Sequence, residues 1–281
     1  MFEKPKAITT IGIVQILLAA SFVVWLIFLP GTAGNFAWPV TPTFTAMFIG
    51  VGFIARTYIG IYLWREKQWA RLRWQVKANY IFLLVIWLAT YWHVDEMNWK
   101  TNIIVAHIWV LAYTIEPIML YLLEPRSQES KEGLPAALQE GPVLPGLKRV
   151  AAFGLVVTAT LGGLLFINPQ FMNTRWPWAL DPFNARIMAA FLGLCAGWCL
   201  EVYFAEQWAA VKRAVMGLTI YAASNFGLWL VIFPQLDPGR KNGITFGVAT
   251  GLFAVLLGYY YYRQERQRST RQKLVDSQAT A

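Results

Sequence analysis

Residues 35–39 read NFAWP, and residues 173–177 read NTRWP. Two further motifs follow each copy in the same order: F-x-A at residues 44–46 and 183–185, then QWA at residues 68–70 and 207–209. The second copy contains one additional residue between the WP and F-x-A motifs, and from Phe44 and Phe183 onward the two copies stay in a constant register. An internal repeat of this length predicts a chain built from two tandem halves.

The composition is typical of a membrane protein. Of the 281 residues, 57% are hydrophobic and 14% are charged, whereas soluble domains carry about 25% charged residues. The 14 Trp, 12 Tyr and 18 Phe residues suit a chain with two membrane interfaces, where aromatic side chains collect. Cys195 and Cys199 lie in one apolar run, which predicts small core residues and not a disulfide framework.

Eight apolar segments are long enough to cross the hydrocarbon core, which takes about 20 helical residues. The predicted spans are residues 7–29, 43–64, 76–95, 102–123, 147–168, 183–204, 213–233 and 243–262. The third is the most polar at its outer end, and the first is too long for the apolar part of a signal peptide. The predicted fold is therefore all-α, an integral membrane protein with eight transmembrane helices.

The repeat groups these spans into two four-helix halves. The predicted units are a first membrane repeat at residues 1–123, a cytoplasmic linker at 124–146, a second membrane repeat at 147–262 and a cytoplasmic tail at 263–281. Because each half has an even number of spans, we expect both to enter the bilayer in the same, parallel orientation. The tail is polar beyond the last span, which predicts a frayed or disordered end.

The distribution of basic residues predicts the orientation of the chain. Eighteen of the 24 Lys and Arg residues lie on the side of the termini, five lie on the other side, and Arg56 lies within a span. Because basic residues concentrate in cytoplasmic loops, we predict a multi-pass protein of the plasma (inner) membrane with both termini in the cytoplasm. This distribution also explains the net charge of +9 without a nucleic-acid partner. The expected partners are the lipid bilayer and other membrane subunits.

Arg56 and Glu116 are single charges inside the second and fourth spans. Counted from the cytoplasmic ends of their helices, both lie roughly 10–12 Å deep, at 1.5 Å per residue. Charges at this depth need a partner or water, so matched depth and opposite sign predict a buried ion pair that locks the two helices. A solute or proton pathway, and separate snorkelling of the two side chains, are the alternatives.

Other polar residues in or near the spans are weaker candidates. His93 and His107 end the third span and begin the fourth, so together they could hold a haem, although histidines also collect at membrane interfaces. Glu201 is predicted to have Lys212 or Arg213 as a snorkelling partner. The remaining intramembrane polar residues are predicted to make interhelical hydrogen bonds; they are Asn79, Ser224 and Asn225.

The sequence leaves three classes of function open. It contains no catalytic, nucleotide-binding or metal-binding motif, which favours a non-enzymatic scaffold or accessory subunit without a cofactor. The duplication, together with Arg56 and Glu116, suggests a small-solute or ion transporter as the alternative. The two histidines suggest a haem- or quinone-binding redox subunit as a further alternative.

Overall fold

The computed structural model describes residues 3–124, 140–237 and 242–280, with side chains described through residue 270. Eight long helices make up most of this described part. They are α1 (Lys6–Val23), α2 (Thr43–Arg65), α3 (Trp69–Trp92), α4 (Ile103–Leu123), α5 (Pro145–Ile167), α6 (Pro182–Phe204), α7 (Trp208–Ile232) and α8 (Asn242–Thr280). A π-helical turn, Val24–Phe28, extends α1. Most of the predicted linker lies outside the described residues.

Seven of these helices are long and apolar enough to cross a membrane. The exception is α3. Its 24 residues are long enough to cross a membrane, but its composition is too polar for it to count as a candidate span. Its first three turns carry the polar side chains of Arg71, Arg73, Lys77 and Asn79. The described chain is therefore helical, with seven candidate membrane spans where the sequence predicts eight.

Three helix boundaries differ from the predicted ones. Helices α3 and α7 begin at Trp69 and Trp208, several residues before the predicted spans, because the helices include the amphipathic turns that follow the QWA motifs. Helix α8 runs to Thr280, so the prediction of a frayed tail from residue 263 was wrong. The tail is rich in Arg and Gln, which are good helix formers, and an i,i+3 pair joins Glu265 to Arg268 at 3.2 Å.

The helices form a buried centre and an exposed periphery. In α2 and α6, 72% and 78% of the apolar window is buried, against 17–28% in α1, α4, α5 and α8. Helix α2 packs between α1 and α7, and α6 packs between α5 and α3. Helices α3 and α7 thus contact the half of the sequence to which they do not belong, which joins the two halves over a wide surface.

Helix starts in the two halves of the sequence follow the register that aligns Phe44 with Phe183. Helices α1 and α5 begin at residues 6 and 145, α2 and α6 at residues 43 and 182, and α4 and α8 at residues 103 and 242. The antiparallel bridge between Glu3 and Gln68 has a counterpart in the same register, between Pro142 and Gln207. The first bridge joins the segment before α1 to the loop before α3. The second joins the segment before α5 to the loop before α7.

Two tryptophans from the loops before α2 and α6 hydrogen-bond across the two halves of the sequence. The Trp38 indole N–H donates to Asn184 Oδ1 at 2.8 Å, and the Trp178 indole N–H donates to Thr45 Oγ1 at 2.9 Å. Thr45 and Asn184 occupy the middle position of the two F-x-A motifs. Since all four side chains are buried, each loop contacts a polar side chain on the first turn of the other half's central helix.

We expect Trp38→Phe and Asn184→Ala to be coupled. Each change removes the same buried hydrogen bond, worth about 0.5–1.5 kcal/mol, so the loss in the double variant should be smaller than the sum of the single losses. Thermal unfolding in detergent measures all three variants. As a control, Trp229→Phe with Asn184→Ala should be additive, because Trp229 donates to a different acceptor, the Gly243 carbonyl oxygen.

Candidate functional site

The structure brings Arg56 and Glu116 together inside the first half. Arg56 Nη2 lies 2.7 Å from each carboxylate oxygen of Glu116. The Arg56 side chain is 2% exposed and that of Glu116 is 13% exposed. A guanidinium that donates to both oxygens of one carboxylate makes a strong, charge-assisted contact.

Three further side chains complete this cluster. Arg56 Nη1 donates to Asn79 Oδ1, and Asn79 Nδ2 donates to Glu116 Oε1 at 3.3 Å. The guanidinium lies 4.5 Å from the centre of the Phe82 ring, a cation–π distance. On α1, Gln15 Nε2 donates to the Arg56 carbonyl oxygen at 2.7 Å. The cluster therefore connects α1, α2, α3 and α4, and we call these five residues the Arg56 cluster.

The local sequence explains how a charged side chain fits at this depth. Arg56 lies between Gly52 and Gly60, where α2 has no side chain beyond Cα. An added Cβ at Gly60 would lie 2.9 Å from the Gly12 carbonyl oxygen, so α1 approaches α2 closely one turn below the arginine. Small residues permit such close helix contacts in membranes.

His93 is buried between protein groups. Its Nδ1 lies 2.6 Å from Glu96 Oε1, and its Nε2 accepts from Arg186 Nη1 at 2.7 Å. Its ring stacks on Phe183 with the ring centres 4.7 Å apart. Because Arg186 can only donate, His93 Nε2 is the acceptor in this contact. A haem or metal at Nε2 would have to displace the guanidinium.

His107 has a different environment from His93. It is exposed, its Nδ1 contacts the Ile103 carbonyl oxygen at 2.7 Å, and its ring packs edge-on against Trp99. Within the described ranges, no group of three or more His, Cys, Asp or Glu side chains could hold a metal ion. The two histidines thus have separate protein partners in this structure.

Glu201 does not pair with Lys212 as the sequence suggests. Its Oε2 accepts from Gln75 Nε2 at 3.5 Å, on the face where α6 packs against α3, and the side chain is buried. Lys212 Nζ instead donates to Glu140 at 2.7 Å, at the end of the bundle that carries the linker. The prediction was wrong because Glu201 faces a neighbouring helix and Lys212 turns toward a residue of the linker.

The polar residues of α7 also differ from the expectation. Asn225 is buried, but its Nδ2 donates at 2.8 Å to the Tyr221 carbonyl oxygen of its own helix, where an interhelical bond was predicted. Ser224 is half-buried on a neighbouring face. Of the three predicted interhelical residues, Asn79 joins two other helices, whereas the Asn225 amide bonds within α7.

Three residues of these contacts were not predicted from the sequence: Gln15, Gln75 and Arg186. Gln15 is the member of the Arg56 cluster on α1, and its amide in an otherwise apolar run was a usable signal. Gln75 accepts from the Trp198 indole N–H at 2.9 Å. No sequence motif predicts this contact between α3 and α6. Arg186 is one of the five basic residues that the sequence places on the side opposite the termini, although it is buried and bonded to His93.

Comparisons of the chain with protein-family models, with curated proteins and with solved structures found no match.

Proposed function

We propose that the protein has eight membrane spans, arranged as two tandem four-helix repeats in parallel orientation. Helix α3, with 24 residues, is about 36 Å long at 1.5 Å per residue, which exceeds the roughly 30 Å of a bilayer core. Its positional equivalent α7 is a candidate span, and its residues 80–92 are largely apolar. The excess of basic residues in the loops next to the termini supports a plasma-membrane protein with both termini cytoplasmic.

Within this architecture, we propose a non-enzymatic role as a scaffold or accessory subunit. The observation that carries the proposal is the complete pairing of Arg56, which is 2% exposed and bonded to Glu116 and Asn79. Charges on a solute or proton pathway face water or an open cavity. A cavity in the structure lies among α2 and α5–α8, and its walls include neither Arg56 nor Glu116, so the Arg56 cluster acts as a structural lock.

Copurification from native membranes tests this role. The protein is solubilised gently, isolated by an affinity tag, and its partners are quantified by mass spectrometry. We expect other membrane subunits in fixed proportion, and the same set with the double variant Arg56→Leu/Glu116→Leu, since a lock contributes stability and not an interface. A protein isolated alone would contradict a scaffold role, and a visible haem absorbance band would support the redox alternative instead.

A further inference from the structure

The two halves differ at the position of the Arg56 cluster. In the register that aligns Phe44 with Phe183, the polar residues Gln15, Arg56, Asn79 and Glu116 correspond to Gly154, Cys195, Leu218 and Val255. All four polar side chains are thus replaced by small or apolar ones in the second half. In the place of a lock, the second half contains a cavity of about 450 Å³, lined by Gly154 and Cys195 among others.

Smaller side chains account for this space. In the first half, the rings of Phe22 and Phe53 pack against each other, and the Trp25 ring packs nearby on Phe36. The equivalents of Phe22, Trp25 and Phe53 in the same register are Leu161, Leu164 and Leu192, and all three line the cavity. Three aromatic rings are therefore exchanged for leucines at one place, which leaves a volume within the range of about 300–1,000 Å³ where proteins bind small molecules.

The cavity opens sideways, between α5 and α8. Several of its wall residues are exposed on the surface of the bundle that would face lipid; they are Phe153, Phe171, Arg175, Asn242, Thr245 and Ala249. From Asn242 at the outer end of α8, the wall reaches Phe253, a distance of about 16 Å along the helix. The cavity is thus long, apolar and accessible from the bilayer.

Two buried polar atoms lie in this apolar wall. The Tyr221 side chain is 7% exposed and Asn225 is 1% exposed, and both line the cavity. Within the described part of the chain, neither the Tyr221 hydroxyl nor Asn225 Oδ1 completes a hydrogen bond, although the two side chains interact with each other. Because Asn225 Nδ2 is held by the Tyr221 carbonyl oxygen, Oδ1 is the end of the amide that remains available.

We propose that this cavity binds a lipophile that carries a hydroxyl group on an apolar chain. Its hydroxyl would donate to Asn225 Oδ1 and accept from the Tyr221 hydroxyl, which gives each of these buried atoms a hydrogen bond that it lacks. The apolar chain would lie along α5 and α8, between Phe153 and Phe253, with its entry from the membrane. A long-chain alcohol and an isoprenoid hydroquinone share this chemistry. The site is independent of the proposed scaffold role because its walls include no residue of the Arg56 cluster.

Photolabelling in lipid nanodiscs tests the proposal. The probe is a hexadecanol with a diazirine on its chain, and labelled peptides are located by mass spectrometry. We expect saturable labelling of the α5 and α8 walls, which excess hexadecanol prevents and hexadecane does not. A short prenyl hydroquinone competes as a second arm, and the stronger competitor identifies the source of the ligand. Labelling that rises in proportion to the probe, spread evenly over the lipid-facing helices, would overturn the proposal.

Two variants and one control distinguish labelling of the cavity and its polar atoms from labelling of the lipid-facing surface. Leu161→Phe restores the ring found at Phe22 and should weaken saturable labelling at least tenfold, whereas Val156→Phe adds the same ring to an exposed position of α5 and should change nothing. Asn225→Leu should reduce the preference for hexadecanol over hexadecane about tenfold, the size of one hydrogen bond. Equal labelling in Leu161→Phe and wild type would contradict the assignment of the cavity as the site.

Discussion

Replacing Arg56 with leucine is expected to lower the free energy of unfolding by about 3–5 kcal/mol. The change leaves the Glu116 carboxylate, 13% exposed, without its cation in the membrane interior, and it removes the donor to Asn79. Glu116→Leu should cost a similar amount, because it strands the guanidinium. Thermal unfolding of the purified variants in detergent measures both losses.

The double variant Arg56→Leu/Glu116→Leu should recover most of this loss. A buried ion pair that is replaced as a whole by apolar side chains is often close to neutral, since the desolvation cost of both charges disappears together. As a matched control, Arg175→Leu removes an exposed arginine of the segment before α6 and should cost less than about 1 kcal/mol. Losses that simply add in the double variant would contradict the lock.

Gly12→Leu is expected to be the second most damaging change, with a cost of about 1–3 kcal/mol. A Cβ at this position would lie 2.7 Å from the Trp64 amide nitrogen and 2.8 Å from the Gly60 carbonyl oxygen. Both are backbone atoms, so α1 would have to move away from α2, and Gln15 would lose its contact with the Arg56 carbonyl oxygen. Thermal unfolding in the same detergent measures the loss.

Gly163→Leu is the control for this prediction. Gly163 lies in α5, and a Cβ there would meet nothing within 4 Å, so a leucine at this position faces lipid without a clash. The thermal stability of Gly163→Leu should stay close to wild type. A similar loss in both variants would show that the effect comes from the residue type and not from the crossing of α1 and α2.

Some features of this molecule could be predicted from the sequence because each rests on a local physical requirement. The contact between Arg56 and Glu116 followed from depth and sign, since an isolated charge in a membrane is costly. The positions of the helices could be predicted from the lengths of the apolar segments. The start of α3 could not be predicted in this way, because hydropathy identifies the apolar part of a helix and not its polar first turns.

Other features depend on packing that a single sequence does not encode locally. Helix α3 packs on α6, and this choice places Gln75 beside Glu201 and Ala78 against Gly197. The partner of His93 was equally hidden, since Arg186 belongs to the other half of the chain. The cavity of the second half arises from two Phe-to-Leu differences and one Trp-to-Leu difference between corresponding positions, each of which is ordinary alone.

Cysteine accessibility in intact cells tests the central claim, two four-helix halves in parallel orientation, most directly. Single cysteines are placed at two exposed pairs of equivalent positions, Gly31 with Gln170 and Lys67 with Glu206, in a Cys195→Ala/Cys199→Ala background. With eight spans, a membrane-impermeant maleimide should label Gly31→Cys and Gln170→Cys from outside, and Lys67→Cys and Glu206→Cys only after permeabilisation. If α3 does not cross the membrane, the members of each pair will lie on opposite sides, and that result would contradict the parallel arrangement.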